Sequence, residues 1–204
     1  MEPIRNHTGL VAPLNRANVD TDQIIPKQFL KRIERTGYEG FLFFDWRYSL
    51  DGKPNPEFVL NDARYGGATI LVANRNFGCG SSREHAVWAL HDFGFRVVIA
   101  SSFADIFTTN CTKNGILTVI LEDTEVNEIL RRAAAIPGYR LTVDLAENAV
   151  ADEHGLSLHF AIDPFRKYCL LNGLDEIGLT LEYSGLISEF ENQHQGWMKI
   201  EQGR

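Results

Sequence analysis

A chain of 204 residues is long enough to bury a substantial core, and 44% hydrophobic with 23% charged residues is the composition of an ordinary globular protein. Its formal net charge of −7 argues against a nucleic-acid partner, which needs a basic face, yet leaves room for a local basic pocket that takes a small acid. No apolar run approaches the roughly 20 residues needed to cross a bilayer. Met1 to Asn6 carries no basic-plus-apolar leader pattern, so a cytoplasmic chain with no membrane partner is the expectation.

Residues 1 to about 64 read as irregular and rich in polar groups. Asp20-Thr21-Asp22 has the spacing of a hard-cation pair, and equally that of an Asx turn ahead of a short Ile24–Ile25 strand. Lys31-Arg32 is a basic turn, either a solvated face or a contact for an acid. The aromatic block Phe41 to Trp46 reads as core, in a setting that leaves room for a partner-facing patch. Asp51 to Pro56 is a loop by its glycine and prolines.

Residues 68 to 121 alternate strand, helix, strand, helix, strand. The strands are Ala68–Ala73, Arg96–Ala100 and Ile116–Leu121, and the helices begin near Ser82 and Phe103, with Gly94 and Gly115 at their carboxyl ends. That alternation predicts a largely parallel sheet. A helix follows over Thr124–Ile136, stopped by Pro137-Gly138. Then come three short alternating strands, Arg140–Leu145, Asn148–Asp152 and Ser157–Ile162, which predict an antiparallel layer. Pro164–Leu171 reads as a helix with proline near its start, and Asn172–Arg204 as a partly helical tail with a polar end. There is no repeat, no low-complexity run and no interdomain linker, so one α/β domain over residues 1–204 is expected, with its core at about 7–181.

The densest chemistry lies in Asn76-Phe77-Gly78-Cys79-Gly80-Ser81-Ser82-Arg83-Glu84-His85-Ala86, between the first of these strands and its helix. A glycine-flanked turn at a helix amino terminus gathers backbone N–H groups, and such a place receives an anion. Ser81 and Glu84 have capping-box spacing, which by itself explains one serine and the glutamate. It does not explain the two glycines, the second serine, or an arginine in the first turn, where its charge opposes the helix dipole unless an anion compensates it. The dinucleotide fingerprint, the P-loop and the nucleophile elbow all fail on spacing. Cys79 with His85 has the residue types of a thiol–imidazole pair, though nothing in the spacing sets their geometry. Cys79, Cys111 and Cys169 are odd in number and widely separated, so they make neither a disulfide framework nor a local metal motif.

Asn76 to Ala86 resembles the G-S-S-R-E-H-A motif of the swivelling domain of the aconitase superfamily. Asn18-Val19-Asp20-Thr21-Asp22-Gln23-Ile24-Ile25-Pro26-Lys27 is similar to the amino-terminal signature of that domain. Ser102–Phe107 and Asn110–Gly115 resemble the segment after its second strand. Asn172–Leu181 resembles a carboxyl-terminal stretch of one branch, the small subunits of 3-isopropylmalate dehydratases in their longer bacterial form. The likeness runs from about His7 to Leu181, and several motifs in order are far more specific than one.

The resemblance implies a three-layer β/β/α swivelling domain. It also implies a reaction that moves a hydroxyl between adjacent carbons of a small hydroxy-diacid in leucine biosynthesis. Such a lyase needs a base, a Lewis acid and cations for two carboxylates. By resemblance Ser81 is the base, and Gly80, Ser82 and Arg83 bind substrate, Arg83 as a two-pronged carboxylate clamp. Lys31 and Arg32 lie in the loop that meets the variable substituent and a carboxylate. Asp22 orients an arginine or histidine beside the site, and Thr21, Cys79 and His85 support it. The Lewis acid in the family is a [4Fe–4S] cluster on three cysteines. This chain lacks that arrangement, so no cofactor or metal is expected here, and the cluster is expected in a large-subunit partner. Two rivals stand beside this reading. One is the small subunit of a related hydro-lyase, of the citraconate/methylmalate or homoaconitate type. The other is a non-catalytic anion-binding domain. A cysteine hydrolase built on Cys79 comes third.

Overall fold

A computed structural model describes residues 1–32 and 34–194; Ile33 and residues 195–204, with the expected polar end of the tail, lie outside the described residues. Four strands run parallel: β1 (Asn6–Leu14), β2 (Ile70–Ala73), β3 (Val97–Ala100) and β4 (Leu117–Ile120). Three more, β5 (Arg140–Asp144), β6 (Ala149–Ala151) and β7 (Ser157–His159), pair antiparallel, and the sheet order is β4-β3-β2-β1-β5-β6-β7.

β1 corrects the expectation that the first 64 residues are irregular. It is the joint of the sheet: Val11 to Leu14 pair in parallel with β2, while Asn6 to Leu10 pair antiparallel with β5. Its amino half leaves Asn6 and Thr8 exposed, and Gly9 and Pro13 interrupt it, so no clean two-residue alternation marks it. The α/β class holds, with the parallel and antiparallel halves joined in one mixed sheet.

α1 (Thr21–Ile24) and α2 (Phe44–Arg47) are single turns in the long crossover from β1 to β2. α3 (Glu84–Phe93), α4 (Asp105–Lys113) and α5 (Asp123–Ala135) follow β2, β3 and β4 in turn. The chain then closes with α6 (Pro164–Asn172), α7 (Glu176–Glu182) and α8 (Ser184–His194). Among the described residues no helix is long and apolar enough to cross a membrane.

Successive side chains of the central strands point to opposite faces, and each face has its own core. Leu71, Ala73, Val98 and Ala100 pack with Leu90 of α3, Phe107 of α4 and the buried loop aromatics Tyr38 and Phe43. Ile70, Val72, Val97 and Ile99 pack with Ile129 of α5, Leu141 of β5 and Val150 of β6. Burying both faces is why these strands read as continuous apolar runs. Leu42 and Phe43 are fully buried, so the centre of the aromatic block belongs to the core.

The expected Ile24–Ile25 strand is instead the end of α1. Asp20 caps that turn, accepting from Gln23 N at 2.7 Å, while Gln23 Oε1 accepts from Asp20 N at 2.9 Å. This capping box uses the Asp20 carboxylate locally and turns the chain beside the glycine–serine loop. At the other end, α7 and α8 present Ile177, Leu181, Leu186 and Phe190 to solvent, all more than half exposed.

Candidate active site

Beyond their ladders, β1, β2 and β3 continue side by side for a few residues. Isolated bridges join Asp20 to Cys79 and Phe77 to Phe103. Gly78 N donates to Val19 O at 2.7 Å, Phe77 N to Ser102 O at 3.0 Å, and Ala104 N to Phe77 O at 3.1 Å. The glycine–serine turn therefore stands at the carboxyl ends of parallel strands, where open α/β sheets place their ligands.

Local geometry explains the glycines. Gly78 has φ +75°, and a Cβ there would overlap the ring of Phe107. Gly80 has φ +91°, a left-handed conformation that costs an L side chain energy. Thr21, buried in α1, pins the turn from below: its N–H donates to Cys79 O at 2.9 Å and its Oγ1 to Ser81 O at 3.0 Å. Thr21 thus occupies the Cys79 and Ser81 carbonyls, and the N–H groups of the turn are left over. Among the described residues those of Gly80, Ser81, Ser82 and Arg83 donate to no protein group, and both serines are exposed. A recess of about 280 Å³ opens there, lined by Thr21, Ser81, Ser82 and Arg83 and, across from them, Ile106 and Asn110 of α4.

The Ser81/Glu84 capping box does not form. α3 starts at Glu84, with Arg83 as its N-cap and no side-chain cap bond. The Glu84 carboxylate accepts from Asn114 Nδ2 at 2.9 Å instead of returning to the turn. Arg83 sits just before the helix, and its electrostatic mismatch is met by Asp22: Arg83 Nη1 is hydrogen-bonded to Asp22 Oδ1. Lys27 Nζ approaches the same carboxylate at 3.8 Å. The Arg83 side chain is only 14% exposed, so this pair is better shielded than a surface bridge.

The remaining expected residues lie around this centre in different ways. Cys79 is half-buried, and burial together with the Asp20 carboxylate pushes its thiol pKa up, opposite to what a nucleophilic thiolate needs. The His85 ring packs on Trp88, with centroids 4.6 Å apart, and on Tyr38 at 5.7 Å. Lys31 and Arg32 are exposed on the strap after α1 and do not line the recess. Arg32 reaches Glu34 at 3.4 Å and lies over Phe41 at 5.2 Å.

Asn110 and Lys27 fall in two of the family-like stretches, but the sequence assigned neither a role in the site. Asn110 sits one turn after Ile106, so helical spacing puts both on one face of α4, and that pattern was the available signal.

An iron–sulfur cluster does not fit this chain's own donors. Cys111 is buried in the core on α4, Cys169 is buried on α6, and Cys79 is held in the loop. Among the described residues no three His, Cys, Asp or Glu side chains group as metal ligands.

Residues 1–124 match the sequence model of the aconitase C-terminal domain, and residues 127–164 match a second model described as LeuD_N. A 3-isopropylmalate dehydratase small subunit of Acidobacterium capsulatum is 61% identical over 196 residues, 96% of this chain and 92% of that one. The protein of the same name from Brevibacillus brevis is 59% identical over 191 residues, 94% of this chain and 98% of its own length. Among solved structures, 3-isopropylmalate dehydratase from Methanocaldococcus jannaschii superposes with a TM-score of 0.66 at 22% identity, over 91% of this chain and 99% of that one, a likeness of fold.

Proposed function

Because the chain belongs to the family of 3-isopropylmalate dehydratase small subunits, within the aconitase C-terminal domain family, we propose that it interconverts 2-isopropylmalate and 3-isopropylmalate. It does so by dehydration and rehydration, as half of a two-chain hydro-lyase of leucine biosynthesis in the cytoplasm. One observation carries the reading: an exposed Ser81-Ser82 turn with open N–H groups beside an oriented arginine.

Ser81 removes the carbon-bound proton. A serine hydroxyl is a poor base in water, and its alkoxide is stabilised here by the surrounding N–H donors and the Arg83 charge. The electron pair left on carbon forms the double bond as the neighbouring hydroxyl departs. On rehydration Ser81 returns the proton to the diacid. Arg83 clamps one carboxylate. Asp22 occupies one of its terminal nitrogens, and a guanidinium has five N–H donors, so an edge stays available. Ser82 and the N–H of Gly80 hold the same end of the substrate. Lys31 and Arg32 meet the second carboxylate when their strap closes. Thr21 and Asp22 position the turn and the clamp, and Cys79 and His85 pack around them.

The departing hydroxyl needs an electrophile, and this chain's donor set does not supply one. We assign it to a [4Fe–4S] cluster held by a large subunit that closes over the recess. The exposed apolar row on α7 and α8 supports a chain that works with a partner. All 204 residues form one domain in this reading, with the core at about 7–181.

The test is a substrate panel on the assembled two-chain enzyme, read by alkene absorbance. Turnover of 2-isopropylmalate above citramalate, a diacid, and homocitrate, a triacid, is expected. Preference for another hydroxy-acid would move the assignment to a related hydro-lyase, and carboxylate binding by this chain without turnover in the assembly would favour an anion-binding domain.

A further inference from the structure

We propose that Asn114 is a positioning residue that ties the helix following the Ser81 turn to the helix lining the other side of the recess, and that turnover depends on it. Asn114 is the C-cap of α4, one turn beyond the recess-lining Asn110. Its side chain joins α4, which lines the recess, to α3, which starts directly after the recess-lining turn. Nδ2 donates to Glu84 Oε1 at 2.9 Å and to Asn110 O at 2.9 Å, and Oδ1 accepts from Trp88 Nε1 at 3.0 Å. Glu84 and Trp88 are one helical turn apart on α3, so both contacts fall on one face of that helix. The amide has a single satisfactory orientation, because turning it over sets its oxygen against the Glu84 carboxylate and its NH₂ against the indole N–H.

What this clamp governs is the start of α3. Glu84 is the first residue of that helix and follows Ser81-Ser82-Arg83 directly. Arg83 caps the helix without a side-chain bond, so among the described residues the local tie is one backbone bond, from Ala86 N to Arg83 O at 3.3 Å. The Glu84–Asn114 bond adds a second tie, from α4. Through Trp88 the same amide reaches further, since the indole packs on His85 at 4.6 Å and on Tyr38 at 5.8 Å. Tyr38 Oη in turn donates to the Glu34 carbonyl of the strap at 2.8 Å. Asn114 and Trp88 line a separate cleft of about 860 Å³ and do not line the recess. The effect on chemistry is therefore one of placement.

The inference rests on the dehydratase reading, and its experiment has one arm that does not. In the assembled enzyme, Asn114→Asp keeps the size and the acceptor for Trp88 but sets a carboxylate against Glu84. The kcat should fall about tenfold or more with KM changed less than about threefold, since small displacements of a reacting group cost far more in rate than in binding. Adding Glu84→Gln exchanges amide and carboxylate between the two positions, which restores that contact though not the bond to Asn110 O, and should recover part of the lost kcat. A wild-type kcat in Asn114→Asp, or a double variant no better than the single, overturns the proposal. The independent arm is the backbone amide resonances of Gly80 to Arg83 in the full chain. They should move in Asn114→Asp and move back toward their wild-type positions in the double variant. If the wild-type assembly turns over none of the hydroxy-acids, the dehydratase reading has failed and the resonances alone decide; resonances that stay in place then overturn the clamp.

Discussion

Arg83 and Asp22, 61 positions apart in the chain, meet as an ion pair on the rim of the recess. The contact joins the two stretches with the densest polar patterning, the Asp20-Thr21-Asp22 turn and the glycine–serine turn. It also sets a competition, because an incoming carboxylate shares the guanidinium with a resident one. Arg83→Lys replaces a fork by a point charge, so KM should rise about tenfold with a smaller change in kcat. Asp22→Asn should raise KM less, by loosening the arginine while leaving it in place. Steady-state kinetics on the assembled enzyme check both, and a wild-type KM in Arg83→Lys contradicts the clamp.

Ser81→Ala should lower turnover roughly a thousandfold, the scale of losing a general base, while Ser82→Ala acts mainly on KM. Both variants should assemble like wild type on gel filtration, because neither hydroxyl makes a hydrogen bond that holds the turn among the described residues. Unchanged turnover in Ser81→Ala would remove Ser81 from the role of base.

Gly78→Ala should destabilise the chain by about 2 kcal/mol or more, because the added methyl meets the Phe107 ring at a positive φ. The loss is read as a fall in the denaturant midpoint. A wild-type midpoint would mean that the loop has room the geometry denies it.

Cys79→Ala should keep at least about half of the wild-type turnover, and alkylation of Cys79 should be slow near neutral pH and rise with pH above the ordinary thiol range. Loss of activity on this substitution would revive the thiol-based alternative that the raised pKa opposes.

A second network supports the far side of the sheet. The Asp152 side chain is fully buried and accepts from Arg132 Nη1 at 2.8 Å, Tyr139 Oη at 2.7 Å and the N–H groups of His154 and Leu156 at 2.8 Å. Burial alone would raise its pKa, but these hydrogen bonds outweigh it and bring the value from 3.8 to about 2. The folded chain thus keeps this carboxylate ionised at a lower pH than the unfolded chain. Its contribution is complete above the unfolded value and is lost as pH falls toward 2. Denaturant midpoints measured between pH 6 and pH 3 should drop steeply in wild type and less so in Asp152→Asn. The variant should also lose about 2 kcal/mol at pH 6. Equal slopes in the two proteins would contradict the assignment.

The parts of this architecture that were legible in sequence share one property, that the local pattern and the tertiary environment agree. β2 and β3 are apolar runs because both their faces are buried, and Pro164 marks the start of α6 because a helix begins there. β1 was illegible because half of it faces water and half is core, with glycine and proline inside it. The capping box at Ser81 was legible and wrong. Glu84 has a better partner in Asn114, 30 positions away, and no local pattern can weigh that. The chemistry of Arg83 was readable from its position, whereas Asp22 as its partner came only through the family resemblance, which had Asp22 orient an arginine or histidine beside the site. Lys31 and Arg32 stood out as a basic turn, whereas the lysine that approaches Asp22 is Lys27, one helical turn earlier.

The most direct measurement is alkene absorbance with 2-isopropylmalate, first with this chain alone and then with this chain mixed anaerobically with a cluster-loaded large subunit. No turnover is expected from the chain alone, and turnover is expected in the mixture, lowered roughly a thousandfold by Ser81→Ala. Turnover by the chain alone would contradict the division of labour, and silence in a mixture shown to be assembled and cluster-loaded would contradict the substrate.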